Sequence, residues 1–255
     1  MSDAKAIALT GKGGTGKTML ATLMVKILAE QPGLKVLAID ADSASSLPYT
    51  LGIEVKKTVS DKRHEIIGAQ QLRDTPLHDL MEEIVEHGDG FDVLTMGRPE
   101  EPGCYCVVND LLKYAIDCII RDYDVVIIDG EAGPEQLNRR VLSDIDVLLV
   151  MSDGSLRSLK TAQTIVKVAE ESKVLSVRQP GLVLNRCRED GPSAETVAAE
   201  YGVRVMGTLP DDVQANEYDR SGKPLLELPD DSPMVQAARA LLEELVPDAF
   251  KEVCS

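Results

Sequence analysis

The sequence predicts an α/β protein with a doubly wound, mainly parallel sheet of about seven or eight strands and helices on both faces. Apolar runs alternate with helical patterns along the chain, which is typical of parallel strands joined by right-handed crossovers. The chain has no tryptophan and two phenylalanines, so aliphatic side chains must build the core, and these suit strands buried on both faces. Its 255 residues suffice for one domain, 1–255, and show no linker or repeat.

The predicted strands are apolar runs rich in Val, Ile, Leu and Ala, and the predicted helices between them carry apolar residues at helical spacing. The strands are placed near 4–9, 35–40, 91–96, 123–129, 145–151, 181–185 and 203–208. The helices are placed near 16–30, 76–87, 105–121, 134–143, 156–171, 193–201 and 233–246. Residues 53–75 are polar and weakly patterned, and the sequence does not assign them. Ligands of such sheets bind where strands end, so the candidate loops are those at 10–18, 40–47, 97–106, 129–135 and 185–188.

Composition and charge exclude several classes of function. The formal net charge is −16, which opposes binding to nucleic acid because that needs clustered Lys and Arg facing phosphates. The same charge opposes docking on anionic lipid, and no apolar stretch approaches the ~20 residues of a membrane span. No signal peptide precedes the first strand, so we expect a cytoplasmic protein that binds neither nucleic acid nor membrane. In that reducing compartment, a close cysteine pair indicates metal binding or redox chemistry rather than a disulfide.

The phosphate-binding motif follows the first predicted strand. Residues 11–18 read GKGGTGKT, which matches G-x-x-x-x-G-K-T between a strand and a helix. The glycines let backbone amides approach phosphate oxygens, Lys17 would reach the terminal phosphates, and the Thr18 hydroxyl would bind Mg²⁺. The motif predicts a P-loop NTPase whose nucleotide-binding residues include Gly11, Lys12, Gly13, Gly14, Thr15, Gly16, Lys17 and Thr18.

Lys12 is a second lysine in this loop. Position two of the motif tolerates almost any residue, so spacing alone leaves Lys12 either a solvated side chain or a functional one. The string from Lys12 to Thr18 resembles the deviant phosphate loop of the MinD/ParA/nitrogenase iron protein class, in which the extra lysine crosses a dimer interface to the partner's nucleotide. The resemblance implies a homodimer closed by ATP, with Lys12 adding positive charge in trans.

A pair of acids follows the second strand, where residues 40–46 read DADSASS. Asp42 could orient the attacking water or hold a metal-bound water, or it could only cap a turn. In the resembled class this loop is switch I, with the pattern D-x-D-P-x-x-N, and Asp42 falls on its second acid. Here Ser43 and Ser46 replace the proline and the asparagine, and loss of the proline predicts a more mobile loop. The predicted catalytic residues are Lys12, Lys17 and Asp42.

Residues 124–129 read DVVIID, the form of a Walker B strand that ends in an acid. This pattern predicts that Asp129 binds Mg²⁺ through water, together with Thr18 and Asp42. Residues 130–133 then resemble switch II, in which Gly133 would turn its N–H toward the γ-phosphate. ATP and Mg²⁺ are therefore the expected cofactors.

Residues 185–188 read NRCR and follow the sixth predicted strand. A guanine site of the N-K-x-D kind needs an acid at position 188, and Arg188 cannot accept a hydrogen bond. The resembled class instead places Asn185 on adenine, with the Pro210–Asp211 turn nearby. The resemblance thus favours ATP over GTP and implies base-side residues Asn185, Arg186, Pro210 and Asp211.

Cys104 and Cys106 lie in a loop rich in proline and glycine, between a predicted strand and a predicted helix. The pair alone is a weak signal, because two buried structural cysteines would look the same. A helix N-terminus lowers thiol pKa and so favours thiolates. Two thiolates underfill a tetrahedral site, but a two-fold axis beside the loop would bring four together, as a soft metal prefers. Four thiolates suit Zn²⁺, whereas Ni²⁺ prefers a flatter arrangement.

Three segments resemble the CooC family of ATPases, which assist nickel insertion into carbon monoxide dehydrogenase. They are MGRPE at 96–100, GCYC at 103–106 with Asn109, and DGEAGPE at 129–135, and the likeness spans the chain. In that family, two cysteines from each subunit of a nucleotide-stabilised dimer share one metal, a role that falls here on Cys104 and Cys106. The resemblance implies Ni²⁺ or Zn²⁺ at the dimer interface. It also implies a client such as carbon monoxide dehydrogenase or acetyl-CoA synthase.

Two other functions stay open from the sequence. A spatial regulator of the ParA/MinD kind would need a basic DNA face or a basic amphipathic C-terminal helix, but the helix at 233–246 carries Glu243, Glu244 and a single arginine. An ATP-gated iron–sulfur electron donor would need a further cysteine on switch II, and none occurs between Asp129 and Arg140.

Overall fold

A computed structural model describes residues 4–62, 82–97, 117, 119–132, 144–171, 176–187 and 193–251. Within these ranges, eight strands form one sheet: β1 (Lys5–Gly11), β2 (Val36–Asp40), β3 (Val85–His87), β4 (Asp92–Thr95), β5 (Val125–Ala132), β6 (Asp144–Ser152), β7 (Ser176–Cys187) and β8 (Val205–Pro210). The strand order is β3-β4-β2-β5-β1-β6-β7-β8. Only β3 pairs antiparallel with its neighbour, so the described part of the sheet is mainly parallel. The predicted fold class is confirmed.

The helices of the described residues pack on both faces of this sheet. They are α1 (Lys17–Ala29), α2 (Ser46–Thr50), α3 (Leu156–Glu171), α4 (Ala194–Tyr201), α5 (Val213–Ser221) and α6 (Pro233–Leu245). Short 3₁₀ segments cover Ile120–Asp122, Leu225–Glu227 and Pro247–Phe250. Buried side chains of α1, α2, α5 and α6 share one apolar core with the sheet, and those of α3 and α4 share the other. No helix in the described ranges is long and apolar enough to cross a bilayer.

The central strands explain where the site forms. β1 lies between β5 and β6, and its side chains alternate between the two cores: Ile7 and Leu9 enter one, and Ala8 enters the other. Every residue of β2 is buried as well. Because these strands are parallel, the loops that follow β1, β2 and β5 leave the same edge of the sheet as neighbours. The phosphate loop, switch I and the end of the Walker B strand therefore meet there.

The structure corrects one predicted helix. Residues 76–87 were predicted to be helical, but Val85–His87 form the edge strand β3 beside β4. A tight turn joins the two strands, with Gly90 at φ 80° and the Gly88 N–H donating to the Phe91 carbonyl at 2.8 Å. The Asp89–Gly90 dipeptide is a hairpin signal that the helical spacing obscured.

Two helices were missed by the sequence analysis. α2 is short and contains Pro48 in its first turn, and α5 has few apolar residues to mark a buried face. The ends of α5 were nevertheless readable, because Asp212 caps its N-terminus and Gly222 lies beyond its last turn in the left-handed conformation. β7 is also longer than predicted and covers 176–187 rather than 181–185.

Asp212 connects the starts of two helices. Its Oδ1 accepts the N–H groups of Gln214 and Ala215 at 2.8 and 3.2 Å, which caps α5. Its Oδ2 accepts the Ser232 hydroxyl at 2.5 Å and the Met234 N–H at 3.2 Å, beside the start of α6. Burial works to raise the pKa of Asp212, but the hydrogen bonds from Ser232 and the backbone outweigh it, and the pKa lies below its usual range.

Replacing Asp212 with alanine is expected to lower the free energy of unfolding by about 3 kcal/mol, because a cap and charged hydrogen bonds are lost together. Since folding lowers the pKa of Asp212, its contribution is complete above the unfolded-state pKa of about 3.9 and disappears as the pH falls through the folded-state value. Urea unfolding of wild type and Asp212→Ala at several pH values measures both effects. Asp231→Ala, which removes an exposed neighbour, is the control and should cost under about 0.5 kcal/mol. Equal losses from both variants would contradict the capping role.

Candidate nucleotide-binding site

The phosphate loop is held between two neighbouring strands. A Cβ built on Gly11, which has φ 139°, would lie 2.4 Å from the Met151 carbonyl oxygen of β6. A Cβ on Gly16, at φ 93°, would lie 2.2 Å from the Asn185 Nδ2 atom of β7. Both positions therefore require glycine for two reasons: the positive φ angle and the lack of space for a side chain.

The N-terminus of α1 faces the loop. Among the described residues no side chain caps it, because Gly16 occupies the N-cap position. The first-turn N–H groups and the positive end of the helix dipole suit an anion such as phosphate. Lys17 begins the helix and is 8% exposed, and its charge acts on Asp129. This geometry suits a phosphate, and the phosphate contacts of Lys17 and the loop stay predictions.

Thr18 and Asp129 are in direct contact although 111 residues separate them in the chain. The Thr18 hydroxyl donates to the Asp129 Oδ2 atom at 2.6 Å. Asp129 is 1% exposed, and its Oδ1 atom finds no hydrogen-bond partner in the described part of the chain. Burial raises the pKa of Asp129 to about 6, against the lowering effects of the Thr18 hydrogen bond and the Lys17 charge.

These two residues fit Mg²⁺. A buried carboxylate oxygen without a partner, beside a hydroxyl, is the kind of hard oxygen donor that this cation prefers. In the described ranges no group of three or more His, Cys, Asp or Glu residues could hold a metal ion by itself. Nucleotide phosphates and water would therefore complete the coordination, as is usual for Mg²⁺ in nucleotide sites.

Asp40 is the first acid of the switch I loop, and the sequence predicts no role for it. It is fully buried and lies opposite Asp129 in the register of β2 and β5. Its Oδ1 accepts the Asp42 N–H and its Oδ2 accepts the Leu47 N–H, both at 3.0 Å. Asp40 thus holds both ends of the switch I loop. Burial and then the Asp129 charge raise the pKa of Asp40 to about 7. Its position as the last residue of a buried strand was the signal for this role.

Asp42 is the second acid of the switch I loop. Its Oδ1 accepts the Ala44 N–H at 2.9 Å, so it caps a turn in this structure. Its N–H binds Asp40, which lies opposite Asp129 in the sheet, so Asp42 is near the Thr18–Asp129 pair. The Asp42 charge also acts to raise the pKa of both Asp40 and Asp129. The turn cap is therefore observed, and the roles of Asp42 in orienting water and binding Mg²⁺ stay predictions.

Lys12 is partly exposed. Its charge reaches Asp153, in the loop that follows β6. Burial works to raise the pKa of Asp153, but hydrogen bonds from Ser155 and the Lys12 charge outweigh it, and the pKa is lowered. The charges of Lys12 and Lys17 therefore act on different acids, Asp153 and Asp129.

The predicted base-side residues also come together. The pairing of β7 with β8 places Cys187 opposite Pro210, and the Asp211 N–H donates to the Cys187 carbonyl at 3.3 Å. Asn185 is buried, with its Nδ2 donating to the Thr15 carbonyl at 2.9 Å and its Oδ1 accepting the Arg186 N–H at 2.8 Å. Arg186 has a left-handed backbone, φ 57°. Contact of Asn185 with adenine stays a prediction, since both ends of its amide bind protein here.

Three predicted site residues lie outside the described residues. They are Gly133 of switch II and the two cysteines of the proposed metal pair, Cys104 and Cys106. The roles predicted for them rest on the sequence.

A family model described as "CobQ/CobB/MinD/ParA nucleotide binding domain" matches residues 6–225. The chain belongs to this family. The chain is therefore an ATP-binding P-loop protein, and the roles of the individual site residues stay predictions.

Several relatives of known sequence align along most of the chain. An uncharacterized ATP-binding protein of Methanocaldococcus jannaschii is 38% identical, with 96% of this chain and 99% of the relative covered. The carbon monoxide dehydrogenase accessory protein CooC of Rhodospirillum rubrum is 26% identical, with 85% and 87% covered. The septum site-determining protein MinD of Bacillus subtilis is 24% identical, with 95% and 91% covered.

Solved structures show the same fold. The MinC:MinD cell division protein complex of Aquifex aeolicus matches with a TM-score of 0.75 and 22% identity, covering 96% of each chain. A ParA family ATPase from Chlorobium tepidum matches with a TM-score of 0.73 and 21% identity, covering 98% and 99%. At these identities the likeness establishes architecture alone.

Proposed function

We propose that this protein is an ATP-hydrolysing metallochaperone that assists nickel insertion into carbon monoxide dehydrogenase or a related nickel enzyme such as acetyl-CoA synthase. The contact between Thr18 and Asp129 at the phosphate loop carries the ATPase part of the proposal. The cysteine pair at 104 and 106 and the likeness to CooC support the chaperone part.

In the proposed reaction, Lys17 and the loop N–H groups hold the phosphates of ATP. Thr18 and Asp129 would hold Mg²⁺, which when bound offsets the charge on the β- and γ-phosphates. Asp42 orients the attacking water, and Asp40 keeps the Asp42 loop in place through its two backbone hydrogen bonds. Lys12 of the second subunit supplies positive charge to the phosphate as it is transferred.

In the proposed dimer, the nucleotide state sets the metal affinity, because it sets how many thiolates can bind one ion. Two subunits closed over ATP bring Cys104 and Cys106 of each together, so one Ni²⁺ or Zn²⁺ has four thiolates. When hydrolysis opens the dimer, each subunit keeps only two, which underfill a tetrahedral site. The metal is then bound less tightly and passes to the client enzyme.

The spatial-regulator alternative has some support from the likeness to MinD. Its requirement for an amphipathic membrane helix is not met by α6, whose apolar face is buried against the sheet and α1. The buried side chains of that face are Met234, Val235, Ala238, Leu241, Leu242 and Leu245. The net charge of −16 also disfavours anionic lipid and DNA.

Loading of a nickel-free client tests the proposal. Metal-free carbon monoxide dehydrogenase is mixed with Ni²⁺ and this protein, and its activity is followed with ATP, with a non-hydrolysable ATP analogue and without nucleotide. We expect activation to be faster with ATP than in both other mixtures, because release needs hydrolysis. Equal activation in all three mixtures would refute the chaperone role. Tight sedimentation with liposomes or DNA would instead favour the spatial regulator.

A further inference from the structure

Thr15 occupies the last of the four positions of the phosphate loop that the motif leaves variable. Its side chain is 1% exposed. The Thr15 hydroxyl donates to the carbonyl of Lys12 at 2.7 Å, and the Thr15 N–H approaches the same oxygen at 3.4 Å. The hydroxyl and the N–H of Thr15 therefore share one acceptor, the carbonyl oxygen of Lys12.

The two residues between Lys12 and Thr15 are both glycines. Gly13 and Gly14 separate Lys12 from Thr15, and a Cβ built on either glycine would meet no atom of the described residues within 4 Å. Such a pair has more accessible backbone conformations than any other dipeptide, and ordering it costs more entropy. The Thr15 hydroxyl closes this short segment into one turn.

Thr15 is itself held from the sheet. Its carbonyl accepts the Asn185 Nδ2 at 2.9 Å, across 170 residues of sequence. Asn185 is 3% exposed near the end of β7. A Cβ on Gly16, which follows Thr15, would lie 2.2 Å from the Asn185 Nδ2 atom, so Gly16 has no room for a side chain there. A continuous line of hydrogen bonds thus runs from β7 through Thr15 to the backbone of Lys12.

We propose that Thr15 is a positioning residue for Lys12, and that its hydroxyl fixes where the lysine projects from the loop. The proposal rests on the proposed function insofar as Lys12 acts on the nucleotide of the second subunit. The motif requires glycine for space at Gly11 and Gly16, but nothing in the motif requires a hydroxyl at position 15. The hydroxyl is therefore a feature of this chain that serves Lys12.

A double-mutant cycle tests this role. Thr15→Val is expected to lower kcat about tenfold, because a displaced charge loses most of its effect on the transferred phosphate. KM should stay within about twofold, since Lys17 and the backbone N–H groups hold the phosphates. In a Lys12→Ala background the same change should cost less than about twofold. Thr15→Ser, which keeps the hydroxyl, should recover most of the lost rate. An equal loss in both backgrounds, or a parallel rise in KM, overturns the proposal.

Hydrogen exchange of the ATP-free protein supplies a readout that does not depend on hydrolysis. The peptide covering residues 11–16 should exchange about tenfold faster in Thr15→Val. Thr22→Val is the matched control: Thr22 is also fully buried and its hydroxyl also donates to a carbonyl, that of Thr18 at 2.8 Å. It should leave this peptide unchanged. Unchanged exchange in Thr15→Val overturns the proposal. A wild type that fails to hydrolyse ATP refutes the proposed function, while the exchange comparison still decides the role of Thr15.

Discussion

Replacing Lys12 with alanine is expected to slow ATP hydrolysis by about a thousandfold and to abolish the ATP-dependent dimer, while ATP still binds. The structure separates the two lysines of the loop in a way that allows this result. Lys17 is buried at the start of α1 and acts on Asp129, whereas Lys12 is partly exposed and acts on Asp153. We therefore expect ATP binding to depend on Lys17, and the step that needs a second subunit to depend on Lys12.

Three measurements check this prediction: equilibrium binding of a fluorescent ATP analogue, light scattering with and without ATP, and phosphate release. Lys17→Ala is the contrasting variant and should lose ATP binding altogether. Lys167→Ala, which removes a largely exposed lysine of α3, is the surface control and should behave as wild type. A Lys12→Ala protein that hydrolyses ATP at the wild-type rate would exclude a catalytic role in trans. A Lys12→Ala protein that fails to bind ATP would show that Lys12, like Lys17, acts in nucleotide binding.

Replacing Cys104 or Cys106 with serine is expected to remove metal binding. At neutral pH a serine hydroxyl stays protonated, so each variant subunit keeps one thiolate and the dimer keeps two of four. We expect about one metal ion per wild-type dimer and under about 0.1 per variant dimer. Native mass spectrometry after incubation with Zn²⁺ or Ni²⁺ measures this metal content. The affinity of the wild type should fall as the pH is lowered, because the thiols must lose protons to bind.

Cys187→Ser is the matched control for this experiment. Cys187 is a free, half-buried thiol whose Sγ lies 3.5 Å from the Leu184 carbonyl, on the base side of the site. Its replacement should leave the metal content unchanged. ATP hydrolysis should persist in the Cys104 variant, because the residues that hold the phosphates are untouched. Full metal binding by Cys104→Ser, or loss of metal from Cys187→Ser, would contradict the assignment.

The fold was predictable because its signals are local. Buried parallel strands need runs of aliphatic residues, and those runs are visible without any partner. Prediction failed where a local pattern had two interpretations. Val85–His87 continued a helical spacing but became an edge strand, since pairing with β4 and the turn at Gly90 decided the outcome. α5 was missed because its few apolar residues mark no buried face, so the cap at Asp212 and the glycine at 222 had no periodic segment to bound.

The sequence by itself determined the phosphate loop, because the glycines and lysine of residues 11–18 act through backbone conformation and charge that are local to eight residues. It also determined which strands would end in acids. Only the tertiary structure decided which of these groups touch: Thr18 with Asp129, Asp40 beside Asp129, and Asn185 with Thr15. The reason is that strand order and register bring distant residues to one edge of the sheet, and no run of neighbouring residues records that order.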